Sequence, residues 1–389
     1  MTLPRISGLT ARAFRVPLPR PWGPDVPAVH VVVSEVATDD GRTGTGFTWT
    51  PSVGAGAVHA LLTQDCRAAV LGMTAHPETV WDLLWHRLHE AGSGGVTTLA
   101  MAAVDTALWD LRAAAAGHSL ADELGRRRDA VPVYGSGVNL HYPLRELVEQ
   151  AERWRKSGLS AVKIKVGHPD PAVDAERVGA VRAVLGPDVL LMLDANQRWD
   201  LLRARRALAL LAPHDPYWIE EPLLADDLAG HVRLRAECGL PVAVGENLRT
   251  VHEFRRWLDA GACDVLQPNA ARVGGVTPLR RIADLAALYS VPVFPHLLTD
   301  LSGQIACALP LPTMVEDVED ASFAALGLLR GEGPVAIDGG VLRTTGRPGL
   351  GLDFAVGGVA GHGPEDGSAG TTGHTADHRP AGRTAEALR

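Results

Sequence analysis

Three carboxylates, Asp194, Glu220 and Glu246, stand 26 residues apart each time, in the stretches LLMLDAN, YWIEEP and PVAVGEN. Each closes a short apolar run bounded by Pro, Gly or charged residues, the pattern of a buried parallel strand. One carboxylate at a strand end is ordinarily a helix cap or an ion-pair partner. Three in register on consecutive strands converge on one axis, and charges of one sign held so close repel unless a cation sits among them. Oxygen-only ligation suits Mg²⁺. The trio is therefore expected to be a metal site.

Groups of another type end the neighbouring strands. Lys163 and Lys165 alternate with Ile164 in AVKIKV, so both ammonium groups point to one face of a strand. Two lysines inside a buried strand are costly unless paired or used. Crowded together beside a divalent ion, they should have lowered pKa values, which would let one act as a base near neutral pH. Lys165, nearer the strand's C-terminal end, is the candidate base; Lys163 is the candidate hydrogen-bond donor to a carboxylate oxygen. His296 ends VPVFPH and offers a second acid/base. Glu316, in MVEDV, is expected to share a proton with a substrate carboxylate oxygen. Asn196, two residues past Asp194, is expected to face the same way and orient substrate. A metal ion with ammonium groups can hold a carboxylate and stabilise the dianionic enolate left when its α-proton departs. Bases on two faces allow removal from one side and delivery from the other.

The elements that must position these groups follow from the rhythm. Strand-like runs separated by stretches rich in Ala, Leu and Arg predict a (β/α) barrel, whose chemistry sits at the C-terminal strand ends. Its strands are VPVYGSGV, AVKIKV, the three carboxylate runs, CDVLQPNAA, VPVFPH and MVEDV, within residues 129–319. Residues 1–128 follow another pattern. VHVVVSEVATDDGRTGTGFTW predicts antiparallel strands joined at Asp39-Asp40-Gly41. The Pro- and Gly-rich stretches 17–28 and 50–57 read as loops able to close a barrel mouth, with Trp22, Trp49 and Val53 as an apolar wall for substrate. Three helical stretches follow from His59; Leu99, Ala103, Ala107 and Leu111 mark a core-facing stripe, and Trp81, Trp85 and Trp109 are core candidates. Arg126 to Arg128 reads as a solvated boundary. Residues 320–357 are turn-rich and are expected to close back on the N-terminal domain. Residues 358–389 lack apolar side chains and are expected to be disordered, so His362, His374 and His378 read as solvated.

At 389 residues, with 46% hydrophobic and 21% charged, the chain has material for two globular domains. A net charge of −8 argues against nucleic acid or an anionic membrane as partner. Met1 to Leu9 lacks the signal-peptide pattern, and no uncharged apolar stretch reaches the roughly 18 residues of a spanning helix. Cys66, Cys238, Cys263 and Cys307 are scattered, which predicts free thiols in a reducing cytoplasm.

Together, AVDTALWDL, AVKIKVG, LDANQRW, WIEEP, GEN, LQPNAARVGGVT and PH followed by Glu316 resemble the mandelate racemase / muconate-lactonising family of the enolase superfamily, over most of residues 1–356. The resemblance implies an α/β fold: a (β/α)₇β barrel with an α+β capping domain. It also implies Mg²⁺ on Asp194, Glu220 and Glu246, Lys165 and His296 as acid/bases, and Lys163 and Glu316 polarising a substrate carboxylate. A histidine on the seventh barrel strand, with no lysine in LQPNAARV, favours the mandelate-racemase-like branch. Relatives are commonly oligomers, so a homo-oligomer is expected. One position departs: where the family has Asp facing the histidine, this chain has Asn269. An amide orients the ring without supplying charge, so His296 is expected to be the weaker base and Lys165 the proton abstractor. That favours dehydration of a hydroxy or sugar acid, with His296 assisting loss of the β-hydroxyl. A racemase or epimerase is the second reading; a binding protein on the same scaffold is the third.

Overall fold

The computed structural model describes residues 4–23 and 25–355. The expected tail, with His362, His374 and His378, lies outside the described residues. Strands β1 (Ile6–Pro17), β2 (Ala28–Thr38) and β3 (Thr43–Thr50) form an antiparallel sheet in that order. The helix Val96–Ala116 lies across it. Approach is so close that a Cβ on Gly46 would stand 2.2 Å from the Ala103 carbonyl oxygen. Ala103 and Ala107 of the predicted stripe are fully buried there, but so are Leu108 and Trp109 on other faces. The helix is covered on both sides because it also meets the barrel. Asp105 accepts from the Thr277 hydroxyl (2.6 Å) and backbone N–H (2.9 Å), and the Trp109 indole donates to Thr277 Oγ1. Trp81 is buried as expected, whereas Trp85 stacks on it half-buried.

The stretch 50–57 is less of a loop than composition predicts: helix begins at Ala55 and runs, through a π-helical turn, to Val70. Buried Val58, Leu62, Cys66 and Val70 supply the apolar stripe that drives it.

The barrel runs through β4 (Val131–Ser136), β5 (Ala161–Lys165), β6 (Leu190–Asp194), β7 (Trp218–Glu220), β8 (Val242–Val244) and β9 (Val265–Leu266), all parallel. The next expected strand, VPVFPH, forms a single bridge, Val293 to Leu266, rather than a regular strand. Pro292 and Pro295 remove ladder donors; Phe294 and His296 still donate backbone N–H bonds to Leu266 (2.8 Å) and Pro268 (3.1 Å). The last barrel strand, β10 (Val315–Val318), pairs with β4. Beyond it, the hairpin β11 (Val335–Asp338) and β12 (Val341–Thr344) adds antiparallel to β4. The flanking chain packs on the N-terminal sheet, with Phe323 and Phe354 ring centroids 4.8 and 5.9 Å from Phe47.

The arginine run is not simply solvated. Arg126 donates to Thr344 Oγ1, and Arg128 donates to the Ala306 and Leu311 carbonyls, which leaves Arg127 as the exposed one. Loose ends of the barrel floor need donors, and the guanidinium fork supplies them. Cys66, Cys263 and Cys307 are buried and Cys238 half-buried, all free thiols. No helix among the described residues is long and apolar enough to cross a membrane.

Candidate active site

Inward-facing residues of the barrel strands form two layers. Tyr134, Ala161, Met192, Trp218, Ala243, Val265 and Phe294, with Met314 against them, make an apolar plug. Two residues further along each chain, the same alternation delivers Ser136, Lys163, Asp194, Glu220, Gly245, Gln267, His296 and Glu316. The plug keeps the polar layer dry from below. Register sets neighbours side by side: Lys165 pairs with Asp194, and Asp194 with Glu220.

Glu246 breaks the alternation. Gly245 turns the chain at φ 134°, where a Cβ would lie 2.8 Å from the Gln267 nitrogen. Only glycine tolerates both demands, and the turn brings Glu246 inward in place of position 245. As a result Asp194, Glu220 and Glu246 each offer one oxygen, all within 4.8 Å of one another and all buried.

Lys163 is fully buried. It donates to Glu220 at 2.7 and 2.9 Å and lies 2.8 Å from Glu316. Burial opposes its charge, but Glu220 and then Glu316 outweigh that and hold its pKa well above the ordinary lysine value. Lys165 donates to Asp194. Burial opposes its charge too, and Asp194 more than compensates, so its pKa is raised. With only the carboxylates around them, both lysines are raised because those charges outweigh burial; the expected lowering concerned lysines beside a bound divalent ion. Glu316 accepts from the Leu297 N–H at 2.9 Å. Despite burial, Lys163 holds its pKa down at about 2.

The trio itself is not balanced. Burial first, and then the Asp194 charge, push the Glu220 carboxyl well above its ordinary value. Three hard oxygen donors in a buried pocket, one of them resisting ionisation because of burial and its carboxylate neighbour, fit a small divalent cation.

His296 Nε2 lies 2.8 Å from Glu246 Oε2 and 3.8 Å from Glu316 Oε2. Its Nδ1 is 3.0 Å from Asn269 Nδ2. Lys165 therefore reaches the trio through Asp194, and His296 reaches it through Glu246.

Asn196 behaves differently from the alternation argument. Its backbone is left-handed, φ 43°, its N–H donates to Asp194 Oδ1 at 2.8 Å, and the residue is exposed. The strand ends at Asp194, so period two ceases to apply. Trp22 and Trp49 meet edge-on at 6.0 Å, and Arg272 sits 5.9 Å from the Trp49 ring. Arg272 Nη1 in turn contacts the Glu246 carbonyl at 2.9 Å, which joins the tryptophan pair to the metal-ligand rim. The buried Trp49 indole N–H has no partner in the protein, so this wall carries a polar donor. Val53 is 78% exposed and is not part of the wall. The loop 18–27 is a hairpin, tied by the backbone bonds Leu18 to Pro27 and Trp22 to Val26. It is clamped by Arg20, which pairs with Glu146 and covers the Tyr142 ring at 3.4 Å.

Three neighbours escaped the sequence reading. Gln267 donates to Glu220 at 2.8 Å, and the alternation Val265, Gln267, Asn269 would have found it. Asn247 donates to Glu221 at 2.7 Å, whose carboxyl burial pushes up to about 8. Arg272 lies in a turn, where no periodicity points to it.

Comparisons agree with this geometry. Residues 17–125 match the mandelate racemase / muconate lactonizing enzyme N-terminal domain, and residues 146–356 match the enolase C-terminal domain-like family. The chain is 37% identical over 348 residues to a 3,6-anhydro-α-L-galactonate cycloisomerase of Streptomyces coelicolor, covering 88% of this chain and 95% of that protein. Among solved structures, a racemase from Streptomyces coelicolor A3(2) with bound magnesium superposes with a TM-score of 0.85 at 35% identity, covering 90% of this chain and 98% of that one. L-talarate dehydratase from Polaromonas sp. JS666, complexed with Mg and L-glucarate, gives 0.82 at 36% identity, covering 90% and 95%. With both halves matched and the buried trio in place, the chain belongs to the mandelate racemase / muconate lactonizing enzyme family of the enolase superfamily.

Proposed function

We propose that this protein is a Mg²⁺-dependent enzyme that removes the proton α to a carboxylate and expels an oxygen from the β-carbon of a hydroxylated acid, most simply the dehydration of a sugar acid. The observation that carries this reading is the buried trio Asp194, Glu220 and Glu246, flanked by Lys165 at one carboxylate and His296 at another. Mg²⁺ held by Asp194, Glu220 and Glu246 would supply positive charge for a substrate carboxylate and for the negative charge that builds on it. Lys165 is the proton abstractor; positive charge brought to Asp194 weakens the pairing that now keeps its ammonium protonated. Lys163, pinned between Glu220 and Glu316, holds a ligand in place. Glu316 keeps Lys163 charged and fixes the loop after His296 through the Leu297 N–H. Trp22 and the unpartnered Trp49 indole face the remainder of the substrate, and that N–H suits a hydroxylated acid better than a purely aryl one.

A second reading follows from the cycloisomerase relative. In a 3,6-anhydro acid the oxygen on carbon 3 is β to the carboxylate, so the same deprotonation opens a ring instead of releasing water. Racemisation, the third outcome, keeps the β-oxygen.

Incubation with Mg²⁺ in deuterated water across hydroxylated acids and an anhydro acid separates these outcomes. A 2-keto acid with water lost supports dehydration, a 2-keto isomer supports ring opening, and exchange with the β-oxygen retained supports racemisation. No turnover of any acid by protein that binds Mg²⁺ would sink the proposal. We further place the enzyme in a reducing cytoplasm, supported by its four free thiols. We also read it as a homo-oligomer, checked by its mass in solution, and as residues 1–128 capping, 129–319 barrel and 320–357 returning to the cap.

A further inference from the structure

We propose that Asn269 is a positioning residue that locks His296 in the tautomer with its proton on Nε2, so that His296 serves as a fixed hydrogen-bond donor and not as a second base. The functional half of this inference rests on the reading of the site as one of α-proton abstraction.

The argument begins with which way the amide points. Asn269 is fully buried, three residues beyond β9. Its Oδ1 accepts from the Arg272 N–H at 3.1 Å, a local cap on the turn that follows. Its Nδ2 lies 3.3 Å from the His296 carbonyl oxygen. A backbone N–H can only donate and a carbonyl can only accept, so flipping the amide would set donor against donor and acceptor against acceptor. Two main-chain groups thereby fix the orientation without reference to the imidazole. The same Nδ2 stands 3.0 Å from His296 Nδ1. With a donor facing it, Nδ1 must present its lone pair, and any form with a proton on Nδ1 would place two donors head to head. The ring proton then belongs on Nε2, which points at Glu246 Oε2, 2.8 Å away, an acceptor.

An aspartate at this position would use one oxygen for the Arg272 N–H and turn the other to the ring. That second oxygen would accept from Nδ1–H and free the Nε2 lone pair as a base. One atom, nitrogen for oxygen, therefore exchanges base for donor. A neutral imidazole with its N–H aimed into a site polarises a substrate oxygen without taking or giving up its proton. Here it would stabilise negative charge building on a substrate oxygen, while Lys165 alone takes the α-proton and, as its ammonium, returns a proton to the departing β-oxygen, which leaves as water. Substrate of one α-configuration should react, and its epimer should not.

The test reads the ring directly. Long-range proton–nitrogen spectra of protein labelled with ¹⁵N at its 15 histidines distinguish the two neutral tautomers. His296 is assigned as the signal lost in His296→Asn and, independently of whether that variant folds, as the one that changes in Asn269→Asp. The expected result is Nε2–H in the native protein and Nδ1–H in Asn269→Asp. An Nδ1–H ring in the native protein, or the same tautomer in both, overturns the assignment. In deuterated water the native enzyme should exchange one α-epimer only, and Asn269→Asp should gain about tenfold or more in exchange of the other. Equal exchange of both epimers by the native enzyme overturns the functional half. Absence of exchange with any acid sinks the α-proton reading, and the spectrum still decides the tautomer.

Discussion

Lys163 donates to both carboxylate oxygens of Glu220, at 2.7 and 2.9 Å, with both side chains wholly out of solvent. An ion pair taken that far from water is worth little against an apolar pair, but breaking it leaves a bare buried charge. Lys163→Met is expected to cost about 3–5 kcal/mol of stability by leaving the buried Glu316 carboxylate without its cation. Denaturant unfolding measures this. Added Mg²⁺ should recover part of the loss, because the ion restores positive charge beside Glu220; a variant as stable as the native protein would contradict the pairing.

Mg²⁺ binding should strengthen as pH rises. The Glu220 pKa is raised, by burial and then by Asp194, so the folded, ion-free protein keeps a proton there that the unfolded chain has already released. Stability from this group is therefore lost as pH climbs from the ordinary carboxylate range towards the raised value. The ion must displace that proton, so the rise in Tm on adding Mg²⁺ should be larger at about pH 8 than at about pH 6. Equal increments at both would show that Glu220 is already ionised without metal.

Lys165→Met should abolish α-proton exchange while sparing the metal site. Removing a general base typically costs about 10²–10⁴-fold in rate, and this lysine touches the trio only through Asp194. Isothermal titration with Mg²⁺ and deuterium exchange, run on the same sample, distinguish a lost base from a lost site. Exchange at the native rate would remove Lys165 from the mechanism.

Arg20 holds the 18–27 hairpin through Glu146 and the face of Tyr142. Both ends of that ion pair are more than a third exposed, so its contribution to stability is small. Arg20→Ala is expected to leave Tm nearly unchanged, to raise KM several-fold, and to open the hairpin to proteolysis. A variant that melts early without a change in KM would make the clamp structural instead.

How far the chain could be read unaided differs from residue to residue. Asp194 and Glu220 were legible because they close apolar runs at an even spacing, and Lys163 because it alternates with Ile164 and Lys165 in a buried strand. Glu246 was found from the same spacing and from the apolar run it follows, although the kink at Gly245 puts it out of the strand's alternation. Asn196 was misjudged for the opposite reason: the alternation had already ended. The barrel strand at VPVFPH was placed correctly although its prolines leave only one bridge, because its apolar composition reports burial and not hydrogen bonding.

The chain's residue types and intervals determined the metal-ligand trio, the KxK strand, the barrel and the presence of an amide, Asn269, ahead of the histidine. They determined these because burial imposes periodicity, and periodicity is visible along one dimension. Charge state and proton position were decided only by the tertiary structure. The lysines are raised where Glu220, Glu316 and Asp194 close around them from three other strands. The His296 ring is oriented by an amide 27 positions away, itself held by two main-chain groups. Electrostatics and hydrogen bonds depend on distances between strands, and no spacing along the chain encodes those.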